Sequence, residues 1–289
     1  MEIRNIQKTG DMHYLYLPTS WCREHKVGSK SKVSIEQSSD GTLVVSPHIT
    51  EKKPKHLKFS ISEDDQEMIH KLVIACYINP ASSFEINFDK EMDFTKLLNQ
   101  KRLISLESVE IDKKQITCNG AISISDPESL LKTMVKKIKN MITVMQKSDD
   151  KELIERYEDE IDRSKIIIDK SIISSLTFER TTNSKTIDLY YISLISKDLE
   201  RMVDHLICLS GKDGFLNTVY ESIEELQSII EHKSNLNYRT ALEFVKKIIK
   251  IKSSEVKDIR TYDKERIKVS LTTISEVITD WAVTRELEK

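Results

Sequence analysis

The sequence predicts a multidomain, mainly α-helical chain with a β-rich N-terminal domain (1–50), a small α/β connecting domain (57–125) and a C-terminal six-helix bundle (126–289). Its 289 residues exceed what one hydrophobic core usually organises. Only 6 Gly and 5 Pro occur while 32% of residues are charged, a composition typical of amphipathic helices. Apolar residues recur with helical spacing after residue 126, whereas those of the first 50 residues alternate as in strands.

The N-terminal domain is predicted to be β-rich with one short helix. Its apolar residues form short or alternating runs at 14–17, 33–36 and 43–45. Asp40-Gly41 predicts a hairpin turn, because both central positions of a type I′ turn need a positive φ. Residues 18–26 predict a short helix with Trp21 as its large apolar side chain. So few apolar groups cannot build a sufficient core in one copy, and we therefore expect a dimer.

Charge is distributed unevenly along the chain. The whole sequence carries a formal charge of −2. Residues 1–56, however, hold nine Lys or Arg against six Asp or Glu, an excess of +3 that leaves −5 for the remainder. Any contact with a polyanion such as DNA is therefore expected in the N-terminal domain.

One motif covers almost the whole N-terminal domain. It consists of Arg4, Gln7-Lys8-Thr9-Gly10, the run 14–17, Pro18, Trp21 and Val27-Gly28. In these residues the domain resembles the archaeal version of the AbrB/SpoVT/MazE swapped-hairpin family. The resemblance implies a homodimer of interleaved hairpins whose basic edge contacts DNA. The side chains that we place on this edge are those of Arg4, Lys8, Arg23 and Lys26.

The connecting domain alternates strand and helix signals, which favours a small α/β fold. Strands are predicted at 57–61, 84–88, 106–111 and 115–122. Helices are predicted at 62–77, with Ser62 as the N-cap, and at 94–101. No catalytic motif stands out in this domain.

The C-terminal region is predicted to be helical almost throughout. Breaks are expected at 148–150, 181–184, 211–214, 235–237 and near 262–263. They divide the region into six helices in two sets of three, 126–212 and 213–289. Leu199, Met202 and Leu206 recur at the spacing of a buried helical stripe and are expected in the core.

Three pairs of carboxylates in this region are each one helical turn apart. The pairs are Glu158 with Asp162, Glu200 with Asp204, and Glu276 with Asp280. Two carboxylates at this spacing share a helix face and repel each other, and a bound cation would reverse that cost. The second and third pairs align by a shift of 76 residues, so the pattern recurs in both three-helix sets.

The run Leu199-Glu200-Arg201-Met202-Val203-Asp204-His205 resembles the motif of the phosphate-uptake regulator PhoU. The similarity extends over 127–289, and Leu106-Glu107-Ser108-Val109-Glu110 resembles the spacer of archaeal PhoU-type regulators. The resemblance implies multinuclear metal clusters on the bundle. Oxygen ligands suit Mg²⁺, Mn²⁺ or iron, and Zn²⁺ is a further candidate.

One metal site is expected, with ligands from Glu158, Asp162, Glu200 and Asp204. The second pair, Glu276 and Asp280, departs from the motif. Val277 and Trp281 stand where Arg201 and His205 would align, and the fifth helix offers Lys257 where the second has carboxylates. A lysine there would compete with a cation.

The leading hypothesis is a DNA-binding transcriptional regulator of phosphate uptake and homeostasis whose bundle docks on a phosphate transporter or sensor protein. The alternative is an adaptor that binds no DNA, dimerises through the N-terminal domain and docks the bundle on such a partner. An enzyme is not expected, because the sequence contains no P-loop, no GxGxxG and no nucleophile elbow. Ferritin-like di-iron sites need Glu-x-x-His on two helices, and the spacing occurs only from Glu67 to His70, outside the bundle.

A cytoplasmic protein without membrane insertion is expected. The four cysteines are widely spaced and form no CxxC pair, as is typical of a reducing compartment. They are expected to be small buried residues. No apolar run approaches the length that spans a bilayer.

Overall fold

A computed structural model describes most of the chain. The described residues are 3–37, 41–47, 56–79, 83–91, 106, 109–119, 126–177, 185–209, 211–252 and 255–287. The chain divides into two compact units, Met1–Lys53 and Pro54–Lys289. Most of the described residues are helical, and the strands form small sheets.

The first unit contains two β-hairpins and a short helix. Its elements are β1 (Gln7–Thr9), β2 (Met12–Tyr14), α1 (Thr19–Glu24), β3 (Ser34–Gln37) and β4 (Leu43–Ser46). β1 pairs with β2, and β3 pairs with β4, both antiparallel. The turn between β1 and β2 contains Gly10 at φ +61°, a conformation that glycine adopts without steric cost.

Of the β-like run predicted at 14–17, only Tyr14 lies in a strand, because the turn at Gly10 pairs the residues on its two sides and β2 ends at Tyr14. The predicted helix is confirmed as α1, and strands are confirmed in the regions 33–36 and 43–45. Asp40 lies outside the described residues, so the type I′ turn stays a prediction; Gly41 has φ +83°, and the strand register pairs Gln37 with Leu43.

The second unit begins with an α/β layer. Its elements are β5 (His56–Ile61), α2 (Gln66–Ile78), β6 (Ser83–Phe88), β7 (Val109–Ile111) and β8 (Gln115–Asn119). The sheet order is β5-β6-β8-β7, with β5 parallel to β6 and the other pairs antiparallel. Apolar side chains from one sheet face and from α2 form a core that also includes Ile166 of the bundle.

The two helix predictions for this layer have different outcomes. The helix cap predicted at Ser62 is wrong, since the Asp65 side chain accepts the backbone N–H of Met68 and α2 begins at Gln66. The helix predicted at 94–101 lies outside the described residues.

The described residues from 126 onward form six α-helices, in agreement with a mainly helical C-terminal region. They are α3 (Pro127–Lys147), α4 (Lys151–Thr177), α5 (Thr186–Leu206), α6 (Phe215–Glu231), α7 (Tyr238–Ile249) and α8 (Ile259–Leu287), with a 3₁₀ turn at Lys233–Asn235. Asp126 caps α3 and Asn237 caps α7 through their side chains. One cluster of buried aliphatic and aromatic side chains joins all six helices.

The observed helix ends test the predicted breaks. The breaks at 148–150, 211–214 and 235–237 are confirmed, while 181–184 lies outside the described residues. The break near 262–263 is wrong, because Asp258 caps α8 by accepting the backbone N–H of Thr261 and the helix starts at Ile259. Gly211 is required in the α5–α6 connection, since a Cβ there would lie 1.9 Å from the Met145 carbonyl oxygen.

Within the described residues, no helix combines the length and the apolar character that crossing a membrane requires.

Candidate metal centre

Three carboxylates from two neighbouring helices converge at one place on the bundle. Asp162 projects from α4, and Glu200 and Asp204 project from α5. Each offers one ligand atom, and these atoms all lie within 4.8 Å of one another. Asp162 is buried, Glu200 is partly buried and Asp204 is exposed, so the acidic triad extends from the bundle interior to the surface.

The packing of α4 and α5 explains this placement. Leu199, Met202, Val203 and Leu206 are buried and fix the inner face of α5. Each helical residue turns by about 100°, so Glu200 and Asp204 lie together beside that face. Ile161 is buried on α4 and places its neighbour Asp162 at the same boundary. The apolar stripes that build the core therefore also bring the carboxylates together.

Glu158, the fourth predicted ligand, lies one turn before Asp162 and is not among the three that converge. It lines a concavity of about 500 Å³ between the start of α4 and the end of α5. Glu155, Ile207 and Cys208 also line this concavity. Glu158 is thus placed next to the triad on the solvent side.

The second predicted pair is arranged differently. Glu276 and Asp280 are exposed on α8. The preceding helix α7 has only 12 residues, and its single carboxylate, Glu243, is exposed as well. Among the residues that the structure describes, no acidic group of another helix converges with this pair to make a second set of three.

The surroundings of the triad are electronegative. Partial desolvation at the end of α5 raises the pKa of the Cys208 thiol, although the residue is exposed, and the nearby carboxylates of Asp263, Glu158 and Asp204 raise it further. The sulfur lies 3.6 Å from the backbone oxygen of Asp204. Cys208 therefore lies within the field of three carboxylates at the end of α5.

His205 is directed away from the triad, as its sequence position next to Asp204 predicts. Its Nδ1 lies 2.9 Å from Oδ1 of the buried Asp263 on α8. The ring also makes an edge contact with Tyr262. His205 therefore links α5 to α8.

Sequence reasoning missed two features of this region. Cys208 was expected to be buried and is exposed, although Cys76 and Cys118 are buried as predicted. The error arises because α5 ends at Leu206, so Cys208 lies in the turn at the bundle end. Asp263 was missed too; its position at the start of the sixth helix, on the side facing His205, could have indicated it.

Comparisons with protein-family models, curated proteins and solved structures found no match. The donor atoms of the triad indicate which ions fit the site. Three carboxylate oxygens suit Mg²⁺ and Mn²⁺ best and are compatible with iron or Zn²⁺. Three carboxylates leave coordination positions for water or for an anion.

The predicted DNA-contacting residues all lie in the first unit and are exposed. Lys8 is on β1, Arg23 is on α1, and Lys26 follows α1 with φ +53°. Arg4 donates a hydrogen bond from Nη1 to the Tyr16 carbonyl oxygen at 3.3 Å. In the described part of the chain, Lys8, Arg23 and Lys26 form no ion pair, so their charges are available to a polyanion.

Proposed function

We propose that this chain is a dimeric, DNA-binding transcriptional regulator of phosphate uptake and homeostasis, with a metal site on its helical bundle. The observation that carries the proposal is the surface of the first unit. None of its described residues is buried. It exposes the large apolar side chains of Ile3, Ile6, Met12, Tyr14, Leu15, Tyr16, Ile35, Leu43 and Val44.

A unit without buried residues cannot be stable as a single copy, because burial of apolar surface is the main driving force of folding. Two isolated hairpins are at best marginally stable in water. A second copy that pairs with these hairpins would supply the missing core. Dimerisation is therefore the first part of the proposal.

The second part concerns DNA. Dimerisation would place two sets of Arg4, Lys8, Arg23 and Lys26 on one assembly. Contacts of such side chains with phosphates release counterions and make affinity strongly dependent on salt. Phosphate contacts orient a protein on DNA, and contacts with base edges give sequence preference. Ile3 and the β1–β2 hairpin lie beside these cations in sequence and are candidates for contacts with base edges.

The third part concerns the bundle. The convergence of Asp162, Glu200 and Asp204 supports binding of Mg²⁺, Mn²⁺, iron or Zn²⁺ there. The proposed role in phosphate uptake, and docking on a phosphate transporter or sensor protein, rest on the resemblance of the run 199–205 to PhoU. A ligand that binds the bundle can control DNA affinity only if it prefers one of two conformational states.

Selection from a random double-stranded DNA library tests the function. The wild-type chain should enrich a defined sequence, and the Arg4→Ala/Lys8→Ala variant should not. The Lys113→Ala/Lys250→Ala variant removes two exposed lysines from the second unit and should select the same sequence as the wild type. If the wild type retains no DNA at low salt, the DNA-binding proposal is wrong and the adaptor alternative gains support.

A further inference from the structure

The last helix, α8, has a narrow exposed face with regular spacing. Ile267, Leu271, Ile274, Ile278 and Trp281 are buried against the bundle. The opposite face consists of positions three and four residues apart in alternation, namely Ile259, Tyr262, Arg266, Val269, Thr273, Glu276, Asp280, Val283 and Leu287. All nine are exposed except Thr273, which is half-buried. This is the spacing of a coiled-coil seam.

The composition of this seam is unusual for a solvent face. Five of its nine positions are apolar, and Ile259, Val269 and Val283 are 74%, 44% and 51% exposed. The solvent side of a bundle helix is normally polar. Apolar residues on both sides of α8 make its outer side a candidate surface for packing against another helix.

The three charged residues of the seam are available for pairing between chains. Arg266, Glu276 and Asp280 form no ion pair among the described residues. The positive charge of Arg266 and the two negative charges lie on the same face of α8. Arg266 lies toward the start of α8, and the two carboxylates lie toward its end. A partner helix running in the opposite direction would therefore meet each charge with its complement.

We propose that two copies of the chain associate through α8, packed antiparallel with a two-fold axis beside Leu271. The seam positions alternate between the a and d positions of a heptad. In an antiparallel pair, each a position of one helix faces a d position of the other. Ile259 then packs on the partner's Val283, and Val269 packs on the partner's Thr273. Arg266 meets the partner's Glu276, and the Tyr262 hydroxyl meets the partner's Asp280. The two-fold symmetry produces each contact twice along a helix of about 42 Å.

Other arrangements of two α8 helices are less favourable. A parallel pair would place Arg266 against Arg266 and each carboxylate against its own copy, and like charges in such positions repel. An antiparallel pair shifted by one heptad would place Arg266 against the partner's Val283 and Asp280 against the partner's Val269. That register removes charges from water without pairing them. An anionic membrane as the occupant would be repelled by Glu276 and Asp280.

Cysteine cross-linking in the full chain tests the register. Cys22 and Cys208 are first replaced by Ser. Chains carrying Val269→Cys and chains carrying Thr273→Cys, with tags of different mass, are then co-expressed and oxidised. The register predicts a disulfide between differently tagged chains. Neither variant should form one alone, because two copies of the same position are offset by four residues along the helix and their Cα atoms are too far apart for a disulfide.

Two controls complete the test. Co-expressed Thr273→Cys and Val283→Cys chains replace Val269, which is 44% exposed, by Val283, which is 51% exposed, but have the wrong register, and they should stay unlinked. Arg266→Glu in the Val269→Cys and Thr273→Cys chains should lower the cross-linking yield several-fold, and adding Glu276→Arg should restore it. No cross-link in the native register, or no restoration by the exchanged charges, would overturn the proposal. The wrong-register control distinguishes this seam from association through the first unit, because that association would not by itself favour the Val269–Thr273 pairing over the Thr273–Val283 pairing.

Discussion

The two compact units differ in where their apolar side chains lie. In Pro54–Lys289, one cluster joins six helices and a second fills the α/β layer. In Met1–Lys53, no described residue is buried, and apolar side chains such as Tyr14 and Leu15 face solvent. Among the described residues, the second unit thus contains its own hydrophobic cores, whereas the first unit contains none. Substitutions in the two units should therefore have different consequences.

The largest effect is expected from Trp281→Ala in the second unit. Trp281 is fully buried, stacks on Tyr191 and donates its indole N–H to Asp188 Oδ1 at 2.7 Å. Its loss should lower the free energy of unfolding by about 3–5 kcal/mol, the usual cost of removing a buried aromatic side chain. Denaturant titration followed by circular dichroism measures this. Trp281→Phe keeps most of the packing and should cost less; equal losses for the two variants would contradict the packing argument.

The next effect should appear in the first unit and depend on protein concentration. Leu15→Ser removes an exposed apolar side chain that we assign to the dimer core. It should weaken self-association by about 1.5–3 kcal/mol, the value for burying one leucine, and leave the unfolding of the second unit unchanged. Sedimentation at several concentrations, with the α8 seam disabled by Arg266→Glu, measures the N-terminal contribution. Unchanged association of Leu15→Ser in that background would contradict the N-terminal dimer.

A smaller effect should separate the two carboxylate pairs. Asp162→Asn removes the buried charge of the triad and should weaken Mn²⁺ binding at least about tenfold, equivalent to about 1.4 kcal/mol. Glu276→Gln makes the same chemical change on α8 and should leave affinity unchanged. Isothermal titration calorimetry compares the two. If Glu276→Gln weakened binding as much as Asp162→Asn, the metal would not be confined to the triad.

The smallest effect concerns acid stability of the second unit. Burial alone would raise the pKa of Asp213, but hydrogen bonds from Lys264, the Phe215 N–H and Arg260 outweigh it and hold the pKa below its ordinary value. A lowered carboxyl pKa contributes stability above the unfolded-state pKa of about 4, which is lost as pH falls through the folded-state pKa. Asp213→Asn should therefore cost about 1 kcal/mol at pH 7 and less at pH 3. Urea titrations at both pH values check this, and an equal cost at both would contradict the linkage.

Helices could be predicted from the sequence where the buried residues recur with the period of a helix. The six bundle helices were predicted because stripes such as Leu199, Met202 and Leu206 mark one face of each helix. The one-turn spacing of the carboxylates and the run 199–205 predicted a site of Glu158, Asp162, Glu200 and Asp204, but which of the four converge depends on how α4 packs on α5.

The remaining features depend on local caps and on neighbours that a periodic pattern does not contain. The caps at Asp65 and Asp258, rather than the apolar pattern, set where α2 and α8 begin. The Glu276–Asp280 pair repeats the spacing of Glu200–Asp204, but the short α7 brings it no third carboxylate. A motif on one helix is thus a site only when the facing helix completes it.

We propose that the first unit binds DNA through its cationic side chains. Fluorescence anisotropy of a labelled duplex, measured with the wild-type chain across a salt series, tests it most directly. We expect a steep loss of affinity with salt and a slope that decreases by about 3.6 in Arg4→Ala/Lys8→Ala if each of the four cations removed from the dimer contacts one phosphate. Lys113→Ala/Lys250→Ala should keep the wild-type slope. A slope that is the same in all three proteins would contradict the claim.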